Sequence, residues 1–200
     1  MSHNIEYHFA PNSPWTYLGH ERLRRIARAA GASIEVLPID LGQIFPVSGG
    51  LPLAKRAPQR QAYRLVDLKR FSQALGLPLT LHPKHFPVAA DDAARLIITV
   101  QANDGTEAAL NLAGAVMRAV WVHEQNIADG ATLAALVREA GLDAQRLQQA
   151  KLPAAQERYA ANTARALAAG VFGAPSYIAL GELFWGQDRL DLLERRLAAA

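Results

Sequence analysis

Strand-like alternation is confined to the two ends of this chain, and that distribution limits the fold more than any other feature. Ile5, Tyr7 and Phe9 alternate with Glu6 and His8, the period of a strand with one more apolar face. Ala10-Pro11-Asn12-Ser13-Pro14 interrupts it. Leu18, Leu23, Ile26, Ala27 and Ala30 then recur at roughly helical spacing until Gly31 closes the segment. Ser33 to Ile39 reads as a second strand with Pro38 near its end, and a right-handed crossover makes the two strands parallel. At the other end, Ser176 to Leu180 and Glu182 to Trp185 flank Gly181 as a hairpin. Gln187-Asp188 opens a terminal helix with Leu190, Leu193 and Leu197 on one face, Asp188 as its N-cap and Asp191 complementing its dipole.

Between these ends the patterns are helical. Gln43 to Ala54 is rich in Gly and Pro and reads as a loop. Helical stretches follow at Ala57 to Leu75, Ala93 to Ala102 behind Asp91-Asp92, Thr106 to Glu124, and Thr132 to Ala140. Leu142 to Leu152 and Ala154 to Ala169 read as two more, split at Pro153, whereas Leu77 to Val88, with three prolines and two histidines, is irregular. The whole reads as a split α/β domain, residues 1–42 and 169–200, interrupted by an all-helical insertion domain at 43–168.

Composition bears mainly on chemistry. The 200 residues include no cysteine, which excludes a disulfide framework, a thiolate metal site and a protein thiol nucleophile. A thiol reaction on this chain needs a thiol from outside. The formal charge of +3 is too small and too dispersed for a nucleic-acid binder. The densest basic stretch runs from Lys55 to Arg70 and fits either a solvated helix face or attraction of an anionic small molecule. The N-terminal residues lack a signal-peptide pattern and no stretch is apolar enough to span a membrane, so a soluble cytoplasmic protein is expected.

Ser13-Pro14-Trp15-Thr16-Tyr17 lies between the first strand and the first helix. Ser suits the N-cap and Pro the first helical position, so a plain helix start accounts for the pair. A helix N-terminus after a strand is also a place where anions bind, and a hydroxyl there can donate to a thiolate or carboxylate. His82-x-x-His85 has a spacing open to metal, but it lacks helical periodicity and a third ligand, so surface or pocket-lining histidines are expected and no metal. His8, His20 and His123 stand alone and are expected to be structural or solvated.

The order strand, Ser-Pro-aromatic-Thr-Tyr, helix, strand, helical insertion, Gly-x-Pro, hairpin, helix resembles a thioredoxin-like fold with an inserted helical domain. The run Gly170 to Pro175 and the segment Glu182 to Leu190 are similar to the 2-hydroxychromene-2-carboxylate isomerase family, as are Tyr63 with Asp67-Leu68 and the pair Phe86-Pro87. That family is related to the kappa-class glutathione transferases and belongs to the DsbA-like branch of the fold. The resemblance implies glutathione as cofactor. It places Ser13 where DsbA-like oxidoreductases keep their reactive cysteine, as the catalytic group that favours the glutathione thiolate, with Thr16 at the second cysteine's position. It matches Pro175 to the cis-proline of the fold, Ala174 to backbone pairing with the cysteinyl unit, and Trp185, Gly186, Gln187 and Asp188 to the segment that receives the γ-glutamyl end. Lys55, Arg60 and Phe86 are the candidates on the substrate side.

The chain departs from the family pattern where it has Pro46, Gly50-Leu51 and Ala89 in place of a lysine, an asparagine followed by a basic residue, and an asparagine. The activity implied is glutathione-dependent cis–trans isomerisation of 2-hydroxychromene-2-carboxylate, or of a similar aromatic α-keto acid, by reversible thiol addition. The alternatives are a kappa-type transferase or peroxidase, and a binding protein that kept the pocket without catalysis. A small aromatic carboxylate is the expected partner, with no nucleic acid and no membrane, in a homodimer.

Overall fold

The computed structural model describes residues 3–200. Strand β1 (Asn4–Phe9), helix α1 (Pro14–Ala29) and strand β2 (Ser33–Pro38) open the chain. Helices α2 (Leu41–Ser48), α3 (Pro58–Leu75), α4 (Asp91–Asp104), α5 (Thr106–Trp121), α6 (Gly130–Glu139), α7 (Gln145–Gln149) and α8 (Pro153–Ala168) follow. Strands β3 (Ser176–Ala179) and β4 (Glu182–Trp185) and helix α9 (Leu190–Ala198) close it. The sheet order is β2-β1-β3-β4, with β1 parallel to β2 and antiparallel to β3. The register pairs Tyr7 with Val36 and with Tyr177, so the two ends of the chain meet in one sheet.

Each sheet face is covered because each carries its own apolar row. Ile5, Tyr7, Phe9 and Tyr177 share a core with Leu18 and Leu23 of α1, Val116 of α5 and Leu193 of α9. The aromatic rings stack across strands, with Tyr7 4.4 Å from Phe9 and 5.6 Å from Tyr177 between centroids. Ile39, Ile44, Ala166 and Val171 form the second core against Ile178 and Leu183, which brings α2 and α8 over the other face. On that face Arg165 of α8 forks onto Glu35 at 2.6 and 2.8 Å and reaches Glu6 at 2.8 Å. Glu6 also accepts from Nε2 of the buried His8 at 3.0 Å. With its amide in the orientation that satisfies both ends, Gln101 of α4 pairs with the free edge of β2 at Val36, donating to its carbonyl at 2.7 Å and accepting its N–H at 3.3 Å.

His20 ties α1 to the sheet and to α5. Its Nε2 donates to the Leu110 carbonyl at 3.0 Å, so Nδ1 is left to accept from the Tyr7 hydroxyl at 3.2 Å. Burial brings its pKa down from 6.5 to about 4, and the imidazole is neutral.

Three expectations from the sequence are corrected. The stretch read as a loop from Gln43 contains α2, because the Asp40 side chain caps its start at Gly42 N–H (2.7 Å) and Gly49 at φ 74° ends it. Pro46 falls inside α2 and only Ile44 is buried, which removes the apolar period that marks a helix. The helix expected over Leu142 to Leu152 shrinks to α7, a little over one turn. Asp188 does not cap the terminal helix: Gln187–Arg189 form a 3₁₀ turn first, Arg189 takes the cap position, and the Asp188 carboxylate accepts from Arg189 at 2.7 Å.

Candidate active site

The break after β1 places Ser13 at the N-cap of α1, where it is 9% exposed. Its Oγ accepts from the Thr16 N–H at 3.3 Å, so the residue caps the helix as its type suggests. An accepting hydroxyl still has its own hydrogen to give, and among the described residues nothing takes it. Pro14 has no N–H, so the helix terminus does not compete at that position. A thiolate or carboxylate beside Ser13 therefore meets an O–H donor at the positive end of a sixteen-residue helix. Thr16 is fully buried, and its hydroxyl finds no partner among the described residues.

Ala174 faces the same space from the loop before β3. The Ala174–Pro175 bond is cis. The Pro175 carbonyl accepts from Gly186 N–H at 2.9 Å and the Gly173 carbonyl from Ser176 Oγ at 2.8 Å. Ala174 itself makes no backbone hydrogen bond among the described residues, so both its N–H and C=O are available to an extended ligand. The Trp185 indole lies against Gly173, where a Cβ would stand 2.6 Å from Nε1, and it packs on Phe172 at 4.7 Å.

The opposite wall comes from α2, α3 and the segment between α3 and α4. Ser13, Ala174 and Trp185 share a cleft of about 750 Å³ with Phe45, Arg60 and Phe86. Asn12 joins the two walls, donating from Nδ2 to the Val88 carbonyl at 2.7 Å. The Tyr17 hydroxyl does the same for the Pro78 carbonyl at 2.7 Å.

The structure thus brings together five of the residues singled out from sequence: Ser13, Ala174, Trp185, Arg60 and Phe86. It does not bring in Lys55, which is exposed outside the cleft lining. Gln187 is also kept out: it is buried against α1, where Arg22 donates to its carbonyl and to its Oε1 at 3.3 Å each. Pro175, Gly186 and Asp188 stand beside the cleft rather than on its lining. Sequence reasoning missed Asn12, and it named Arg64 only as one member of the basic run Lys55 to Arg70. Arg64 is half-buried in the cleft wall, its guanidinium 5.3 Å from the Phe86 ring and 5.9 Å from that of Trp121. The signal was present for Arg64 in its one-turn spacing from Arg60, but both of its aromatic neighbours arrive from distant segments.

Comparison with known proteins agrees with this geometry. Residues 4–198 match the DsbA-like thioredoxin domain. A 2-hydroxychromene-2-carboxylate isomerase from Sphingobium xenophagum is 31% identical over 98% of this chain and 99% of its own length. Human glutathione S-transferase kappa 1 is 24% identical over 98% of this chain and 92% of its own. A solved structure of a 2-hydroxychromene-2-carboxylate isomerase superposes with a TM-score of 0.82 at 28% identity, covering 98% of this chain and 95% of that one. With a full-length family match and a full-length relative above 30% identity, the chain belongs to the DsbA-like thioredoxin family and, within it, to the 2-hydroxychromene-2-carboxylate isomerases.

Proposed function

We propose that this isomerase acts with glutathione on 2-hydroxychromene-2-carboxylate or a similar aromatic α-keto acid. The observation that carries the reading is the pairing of a free Ser13 hydroxyl hydrogen with the unpaired backbone of Ala174 across one cleft. Those groups fit glutathione: Ala174 would hold the cysteinyl unit strand-wise, Ser13 would face its sulfur, and Trp185, Gly186 and Asp188 would lie toward its γ-glutamyl end. Bound there, glutathione supplies a thiol that adds reversibly to a conjugated double bond and so allows it to rotate.

The residues of this chain do the rest. Ser13 Oγ donates its hydrogen toward the sulfur and favours the thiolate, aided by the dipole of α1. Trp185 packs on Phe172 beside Ala174 and offers an apolar side to the glutathione backbone. The arginines of the far wall hold negative charge that builds on the substrate oxygens. The setting we propose is a cytoplasmic homodimer.

Incubation with glutathione and 2-hydroxychromene-2-carboxylate, followed by chromatography and mass analysis, tests the reading. An isomerised product with glutathione unchanged is expected. Accumulation of a glutathione conjugate would instead favour transfer, the activity named in the human relative. Calorimetry showing no glutathione binding at millimolar ligand would overturn the proposal.

A further inference from the structure

Three arginines, Arg56, Arg60 and Arg64, line the cleft wall facing Ser13, and among the described residues none of them meets a carboxylate. Elsewhere in the fold, arginines that bridge elements do find acids: Arg146 pairs with Asp104 at 2.7 Å and Arg165 with Glu35 at 2.6 Å. The three differ in what they offer. Arg56 already donates to the Leu51 carbonyl at 2.8 Å and lies 5.9 Å from the Phe45 ring. Arg60 is exposed, where water competes for any anion. Arg64 is half-buried against Phe86 and Trp121, yet it makes no hydrogen bond to any described residue.

That combination is costly unless something completes it. A guanidinium has five N–H donors in a planar fork, and aromatic rings engage its face, not its edge. Burial, and secondarily the charge of Arg56, pull its pKa down to about 10, so at neutral pH it stays charged without an acid partner. Phe86 continues through Pro87 to Val88, whose carbonyl holds Asn12 next to Ser13. The cation is therefore built into the same wall that the Ser13 loop is tied to.

We infer that Arg64 is the residue that selects the electrophilic co-substrate, by taking its carboxylate on the open donor edge of the guanidinium. A planar carboxylate matches that fork with two parallel N–H···O bonds, and the lower dielectric of the wall strengthens the pair relative to one at exposed Arg60. Lysine at this position would keep the charge but lose both the fork and the stacking on Phe86. The identity of the electrophile rests on the isomerase reading above, whereas the anion site at Arg64 does not.

The experiment is a calorimetric titration with benzoylformate, an aromatic α-keto acid with no electrophilic double bond, on wild type, Arg64→Met, Arg64→Lys and Arg60→Met. Arg64→Met is expected to weaken benzoylformate about tenfold or more and Arg60→Met by roughly threefold at most, with Arg64→Lys between them. Glutathione affinity is expected to stay within about threefold in all four proteins. In turnover, Arg64→Met should raise KM for a carboxylate electrophile while leaving KM for its methyl ester unchanged. The melting temperature of Arg64→Met should not fall, since an unpaired half-buried charge is removed, whereas a merely structural Arg64 would lower it.

The assignment is overturned if wild type binds no benzoylformate, if Arg64→Met binds it as well as wild type, or if glutathione affinity falls by the same factor. Normal benzoylformate behaviour without turnover of 2-hydroxychromene-2-carboxylate would sink the isomerase reading and leave the Arg64 site standing.

Discussion

Asn12 and Val88 are 76 positions apart in sequence, and the Asn12 side chain donates to the Val88 carbonyl at 2.7 Å. That bond holds the loop carrying Ser13 against the wall carrying Phe86 and Arg64. Asn12→Ala leaves the carbonyl without its donor, which should cost about 1 kcal/mol of stability. The larger effect is expected on catalysis. With the two walls free to drift, kcat/KM should fall by roughly tenfold while glutathione affinity changes little. Steady-state kinetics beside calorimetry checks this, and an unchanged kcat/KM would show that the wall is positioned by other contacts.

Ser13 both caps α1 and offers its hydrogen to the cleft, and two substitutions separate the roles. Ser13→Ala should lower stability by about 1 kcal/mol and raise the pKa of bound glutathione, read from thiolate absorbance against pH. Turnover at neutral pH should fall far more than glutathione binding. Ser13→Asp restores a good cap but sets a carboxylate beside the sulfur, so stability should return while turnover stays low. If Ser13→Asp recovers turnover, the hydroxyl matters only as a cap.

Acid should weaken the fold through its buried imidazoles. The unfolded chain takes up protons at its histidines near pH 6.5, whereas His20 in the folded protein does so only at about pH 4. The stabilisation is therefore complete above pH 6.5 and is lost progressively as pH falls toward 4, amounting to about 3 kcal/mol in full. His8 is depressed too, by burial first, with the Glu6 hydrogen bond opposing, so it acts in the same direction. Urea midpoints measured between pH 7.5 and about 4 should fall through this window, and His20→Gln should flatten the fall. A wild-type midpoint independent of pH there would mean that neither imidazole stays neutral.

What could be read from sequence was what local pattern controls. The alternation of Ile5, Tyr7 and Phe9 and the hairpin at Gly181 gave the sheet, and Ser13-Pro14 gave the start of α1, because strand period and cap chemistry act over a few residues. Helix α2 was hidden, since its signals are a cap at Asp40 and a stop at Gly49 around a stretch holding Pro46 and one buried side chain. The site divided in the same way. Ser13, Ala174 and Trp185 sit in short motifs that resemble a family, so they were found. Lys55 and Arg64 are alike as members of a basic run. The arrival of Phe86 and Trp121 over Arg64, while Lys55 stays exposed, tells them apart.

Gly19 offers the most direct test of how α1 and the Gly186–Asp188 turn are fitted together. A Cβ at this position would stand 2.7 Å from the Tyr177 hydroxyl and 2.9 Å from Cβ of Gln187, both closer than ordinary contact. Alanine favours a helix over glycine by about 1 kcal/mol, and overpacking costs roughly 1–3 kcal/mol. Tyr177 is fully buried, so α1 has to shift away from its hydroxyl, and that shift displaces Gln187 as well. Gly19→Ala should therefore destabilise the protein by about 1 kcal/mol net despite its better propensity. Displacing Gln187 shifts the neighbouring Gly186 and Asp188, so glutathione affinity should fall severalfold while benzoylformate binding at Arg64 is preserved. A melting temperature above wild type would show that the contact yields, and equal losses of both ligands would show that the whole cleft, not this turn, has moved.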